Sequence, residues 1–154
     1  MRSITRDGAS HGVRRCSGSS RFCRAVHPRM AGRESHVIVN VVGAAGEKVP
    51  PGYITGAAGN AALMALTRAL GRQASEDGLR VAGINPGWVA TDRLIMPQRV
   101  RAATERGDAE RWQELLSGMP FRRVATPAEI GCAVAFLASP FSSGTVLTID
   151  GGAV

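Results

Sequence analysis

At 154 residues, with 44% hydrophobic residues and 19 glycines, the chain has the size and composition of one globular domain, which excludes a fibrous repeat or a wholly disordered polypeptide. No apolar run reaches the roughly 18 to 20 residues that span a bilayer, so a membrane-crossing reading drops out and a soluble, cytoplasmic protein is the expectation. The net charge of +7 suggests a nucleic-acid partner until it is divided: residues 1 to 35 hold eight Arg against Asp7 and Glu34, a balance of +6, and the remainder carries +1.

The basic stretch is rich in Arg, Ser and Gly and has little apolar periodicity. It buries too little surface to offset its ordering entropy, so residues 1 to 20 are expected to form a disordered basic tail and residues 21 to 154 the folded domain. An organellar leader, a phosphate-binding arm and a solvated tail, even a misplaced start, compete here. The Arg to Lys ratio of 18 to 1 fits GC-rich coding and favours the last, so nucleic acid is not the expected partner. Cys16 and Cys23, with His11 and His27, match no compact zinc knuckle, and no metal site is expected. Three cysteines, with Cys132 inside an apolar helical run, make no disulfide framework, which points to a reducing compartment.

Residues 36 to 42, "HVIVNVV", form a β-branched run stopped by "GAAG", the pattern of a strand buried on both faces of a parallel sheet. "PGYITGAAGNAALMALTRALG", residues 51 to 71, predicts a largely buried helix through Ala57, Ala61, Met64, Ala65 and Leu70. Its small residues Gly56, Ala57, Gly59, Ala61 and Ala62 allow close backbone approach, with a neighbouring subunit as one candidate. A second strand, "LRVAGIN" at 79 to 85, leads into the loop "PGWVATD". Residues 93 to 119 are polar, with Val100, Trp112, Leu115 and Leu116, and predict one or two surface helices forming a lid over a cleft. Thr126 as N-cap, Pro127 at the first turn and Glu129 three after the cap predict a capped helix with Ile130, Val134 and Leu137 on one face. "TVLTID", 145 to 150, ends the series as a third strand. The alternation describes an α/β fold of parallel βαβ units.

Taken together, "VIVNVVGAAG", "GNAALMALTRALG", "LRVAGINPGWVATD", "RRVATPAEIGCAVAFLAS" and "GTVLTIDGG" resemble the C-terminal half of a short-chain dehydrogenase/reductase. The likeness covers residues 36 to 152 well and 21 to 154 loosely. It implies a Rossmann-like parallel sheet with flanking helices, truncated on its N-terminal side, and NAD or NADP as cofactor. The Gly-rich turn that holds the pyrophosphate in such proteins has no counterpart, because "DGASHG" at 7 to 12 neither follows a strand nor opens an apolar helix. The last loop, within "SPFSSGTVLTIDGG", is about three residues shorter than in most relatives, which predicts a strained final pairing.

The same resemblance implies a Ser, a Tyr and a Lys as the catalytic set, the Lys four residues after the Tyr so that both face one side of a helix. At those positions stand Gly43, Gly56 and Asn60. Asn60 can hydrogen-bond a ribose hydroxyl but supplies no positive charge to favour a tyrosinate. Tyr53, the chain's one tyrosine, precedes the Tyr position by three residues and is the displaced candidate, although packing at the helix entrance explains it as well. Pro86, Gly87, Val89 and Thr91 match the loop that lies beside the nicotinamide in the family; an ordinary strand-ending turn is the plainer reading.

Three functions compete on this basis. The first is an atypical short-chain oxidoreductase acting on a small carbonyl or alcohol, with a homo-oligomer as the natural assembly. The second is a non-catalytic remnant that packs against a partner through its Ala/Gly-rich helix. The third is a basic-arm nucleic-acid binder.

Overall fold

The computed structural model describes residues 6 to 30 and 36 to 153, with side chains from residue 17 onward within those spans. Its centre is a three-stranded parallel sheet in the order β1 (His36–Val41), β2 (Leu79–Pro86), β3 (Val146–Ile149). His36 pairs with Leu79 and Val41 with Ile84 on one side, and Gly83 pairs with Val146 and Pro86 with Ile149 on the other. β2 is the centre, and its residues 81 to 85 are all buried, as the unbroken apolar run requires.

Helices cover both faces. The long α1 (Arg6–Met30) packs against α3 (Ile54–Gln73), which a 3₁₀ turn at Pro51–Tyr53 introduces and a short α2 (Ala45–Lys48) precedes. Period-two alternation along the strands sends Ile38, Leu79 and Val81 toward Cys23, Ala74 and Leu70 on this side. Ala82 and Ile84 point the other way, onto Ile130 and Leu137 of α5 (Pro127–Leu137). Fully burying side chains the size of Leu79, Ile84 and Leu137 is worth about 1.5–3 kcal/mol each. Arg80, on the α5 face, reaches across to donate to the carbonyls of Ala138 and Ser139, closing the C-terminal end of that helix.

The basic segment departs from the tail expected over residues 1 to 20, since α1 begins at Arg6. Cys23, Val26 and Met30 fall at helical spacing and pack on Ile38, Leu79 and Leu70, and His27 Nε2 lies 3.2 Å from Asp77 Oδ2. That short apolar stripe is diluted among Arg and Ser, which is why composition hid it. The "DGASHG" residues lie inside α1, and His11 and Cys16 have side chains outside those described.

The buried stripe of α3 is Ala57, Asn60, Leu63, Met64 and Thr67, whereas Ala61 and Ala65, expected in it, are exposed. Thr67 donates to the Leu63 carbonyl at 2.7 Å and accepts from the Asn40 amide at 2.9 Å, which ties helix to strand. The short last loop does not displace β3. Ser143 Oγ accepts from the Val81 N–H and donates to the Gly71 carbonyl, and the Gly144 N–H donates to the Val81 carbonyl at 2.8 Å. A Cβ on Gly71 would collide with the Gly144 backbone, so glycine is required where the loop crosses α3.

After β2, α4 (Asp92–Arg106) and a 3₁₀ segment at Ala109–Leu116 fold against each other, held by Arg99 to Glu110 at 2.7 Å. Among the described residues no helix is long and apolar enough to cross a membrane.

Candidate active site

The carboxyl ends of the parallel strands open into a cleft of about 800 Å³. Gly43 and Ala44 lie just beyond β1, Pro86 ends β2 with Gly87 and Trp88 after it, and Ile149 to Gly151 close β3; all of them line it. Another wall is the turn after the 3₁₀ segment, Met119 to Phe121. A crevice outside the carboxyl edge of a parallel sheet is where such folds bind ligands.

Tyr53, Asn60, Pro86 and Gly87, four of the expected site residues, meet in this one cleft. Asn60 is only 3% exposed, its amide donates to the Gly43 carbonyl at 3.3 Å, and its Oδ1 is buried without a hydrogen-bond partner. Asn60 thus positions the loop after β1, and it retains one unpaired acceptor beside the cleft. Val89 and Thr91 are placed differently. The Val89 side chain packs with Ile84 in the core and its backbone bridges Ala125, while Thr91 is exposed and gives its N–H to the Val89 carbonyl at 2.8 Å.

The relation between Tyr53 and Gly56 is steric. A Cβ on Gly56 would overlap the Tyr53 ring and stand 2.5 Å from its hydroxyl oxygen. The phenol thus fills the space in which a residue 56 side chain would start. Gly43 is constrained as well: its φ is +139°, a region that L side chains rarely adopt, and a Cβ there would meet Asn60 Nδ2 at 3.0 Å. Gly87 lies on Asp150, with 2.8 Å between a built Cβ and the Asp150 Cβ, so the loop can run close under the end of β3.

Ion pairs frame the cleft. Lys48, the one lysine of the chain, holds Asp150 at 2.6 Å, and together with the Gly152 N–H it keeps the Asp150 carboxyl below its usual range. Arg123 grips both oxygens of Glu129 at 2.7 and 2.9 Å. Glu129 also closes a capping box with Thr126 at the start of α5, as the sequence predicted, and these contacts lower its pKa to about 2. Three aromatic side chains face the opening: Tyr53, Trp88 at 50% exposure and Phe121 at 81%. Phe121 and Arg122 both sit at φ +54°, which for non-glycine residues costs about 1–3 kcal/mol each and marks a turn held against strain. Sequence reasoning missed the Lys48–Asp150 pair and this aromatic rim, because residues about 100 and 33 positions apart are joined only by the sheet.

The donor set fits the nicotinamide end of a dinucleotide in part. Pro86 and Gly87 offer close backbone approach and Asn60 one orphaned buried acceptor, while the described residues hold no Gly-rich turn for a pyrophosphate. Among the described residues no group of three or more His, Cys, Asp or Glu side chains could hold a metal ion.

Comparison with known proteins agrees with this geometry. The family model described as enoyl-(acyl carrier protein) reductase matches residues 13–154. The 3-oxoacyl-[acyl-carrier-protein] reductase FabG of Chlamydia muridarum is 35% identical over 134 residues, which is 84% of this chain and 50% of that protein. Oxidoreductase UcpA of Escherichia coli K12 is 37% identical over the same length, with the same shares. Among solved structures, L-sorbose reductase from Gluconobacter frateurii complexed with NADPH and L-sorbose superposes with a TM-score of 0.78 at 25% identity, over 87% of this chain and 53% of that one. The NADPH-bound short chain oxidoreductase from Pseudomonas aeruginosa PAO1 containing an atypical catalytic center gives 0.82 at 24% identity, over 97% and 58%, a likeness of fold. The chain spans about half the length of the curated relatives it matches. With parallel sheet, strand-end cleft and family match in agreement, the chain belongs to the short-chain dehydrogenase/reductase family.

Proposed function

We propose that the cleft is the substrate and nicotinamide end of an oxidoreductase site that interconverts a small carbonyl and its alcohol, with Tyr53 as proton donor. The observation that carries this reading is the Tyr53 ring occupying the space of the residue 56 side chain, in the same cleft as Asn60, Pro86 and Gly87. NAD or NADP is the cofactor proposed, and when bound it supplies the hydride. Pro86 and Gly87 would hold its nicotinamide and Asn60 Oδ1 would accept from a ribose hydroxyl, while Val89 and Thr91 shape the loop. In reduction the Tyr53 hydroxyl gives its proton to the carbonyl oxygen and regains one from water, and Trp88 and Phe121 shield the reacting face from solvent.

A cytoplasmic setting belongs to the same proposal, in keeping with Cys23 and Cys132 being free thiols. So does a homo-oligomer that uses the exposed face of α3 around Ala58, Ala61, Ala62 and Ala65. The test is carbonyl-dependent oxidation of NADPH or NADH by the full chain. Tyr53→Phe is expected to slow turnover about 100-fold or more while leaving cofactor affinity unchanged. Equal turnover in the variant would remove Tyr53 from the chemistry.

A further inference from the structure

Counting charge around the cleft singles out one residue. Five ionic side chains line it: Lys48, Arg93, Arg123, Glu129 and Asp150. Lys48 is neutralised by Asp150 at 2.6 Å and Arg123 by Glu129 at 2.7 Å. Arg93 is left over, since among the described residues no carboxylate lies within ion-pair distance of it. Its neighbour Asp92 does not line the cleft.

Arg93 sits in the first turn of α4, the one residue of that helix that lines the cleft. Pro97, four residues on, has no N–H to give to the Arg93 carbonyl, so the helix bond that would anchor this turn is missing. Trp88 and Phe121 line the same cleft, both substantially exposed, and Phe121 is held in a left-handed backbone conformation. An unpaired guanidinium and two open aromatic side chains lining one cleft are a recognition set for a molecule with a planar apolar body and an anionic end.

We propose that Arg93 is a specificity-determining residue and that the substrate of this cleft is an aryl or similarly flat carbonyl compound bearing a carboxylate. The guanidinium takes the carboxylate through two parallel N–H bonds, and Trp88 and Phe121 flank the body. The carbonyl is thereby turned toward Tyr53. The inference rests on the oxidoreductase reading of the same cleft and adds the class of its substrate.

The test uses the full chain carrying Trp112→Phe, so that Trp88 alone reports. Its fluorescence is titrated with benzoylformate and, separately, with acetophenone, the neutral analogue. Benzoylformate is expected to bind at least about tenfold more tightly than acetophenone, the scale of one charge-assisted pair, and to weaken with added salt. Arg93→Gln is expected to erase that preference and Arg93→Lys to keep part of it; an exposed, unpaired residue can be replaced without unfolding the chain. Equal affinity for the two probes, an unchanged preference in Arg93→Gln, or binding of neither probe would overturn the inference. NADPH and NADH titrations of the same variants separate the two readings. Cofactor bound without a benzoylformate preference leaves the oxidoreductase proposal standing, and a preference without cofactor binding removes that proposal instead.

Discussion

The ring of Tyr53 lies where a side chain on Gly56 would have to begin, so the two positions share one volume. The exchange is reciprocal: a glycine at 56 makes room for a phenol arriving from one turn earlier, and that phenol excludes any side chain at 56. Gly56→Ala should therefore fail to deliver the roughly 1 kcal/mol that Gly to Ala substitution inside a helix ordinarily gains. With Tyr53→Ala in the background, the same substitution should recover that gain. Urea unfolding of the four species measures the coupling, expected at about 1 kcal/mol or more; additive effects would show that the two residues do not share space.

A serine introduced at position 43 should harm the fold. Gly43 has φ +139°, and a Cβ there meets Asn60 Nδ2 at 3.0 Å. Gly43→Ser is expected to cost about 1–3 kcal/mol in urea unfolding. An unchanged midpoint would mean that the loop after β1 relaxes freely.

Thr67 links α3 to β1 through Asn40 from a fully buried position. Thr67→Val keeps the volume and leaves the Asn40 amide without its acceptor, for an expected loss of about 1–3 kcal/mol. The companion Asn40→Leu/Thr67→Val chain, with both polar groups removed, should recover part of it in the same measurement.

Glu129 supplies a pH signature. Arg123 and then the Thr126 backbone hold its pKa at about 2, against 4.5 when free. A depressed carboxyl stabilises the fold above its free value, and that contribution is lost as pH falls from about 4.5 toward about 2. Thermal melts across that window should show a drop in the parent chain that is smaller in Glu129→Gln. Identical slopes would contradict the assignment.

How much of this was legible in the sequence differs by element. The three strands and α5 were, because β-branched runs and the Thr126–Glu129 capping box are local patterns. The fold class followed from their order. The helix through residues 6 to 30 was not, since its apolar stripe of Cys23, Val26 and Met30 matters only once Ile38 and Leu79 lie beneath it. In α3 the helix itself was readable but its buried face was not. Small residues carry little hydrophobic signal, and the inward stripe includes the polar Asn60 and Thr67. At the cleft, Tyr53, Asn60, Pro86 and Gly87 were singled out through the family resemblance, and they line one cavity. Lys48 with Asp150, and Arg93 with Trp88 and Phe121, depend on how strand ends converge, which no spacing encodes.

The central claim is that this cleft receives a nicotinamide beside Trp88, and energy transfer from Trp88 to reduced cofactor tests it most directly. Titrating the Trp112→Phe chain with NADPH and with NADH should give saturable transfer for at least one of them, abolished by Trp88→Phe. No saturable signal with either cofactor would contradict the account.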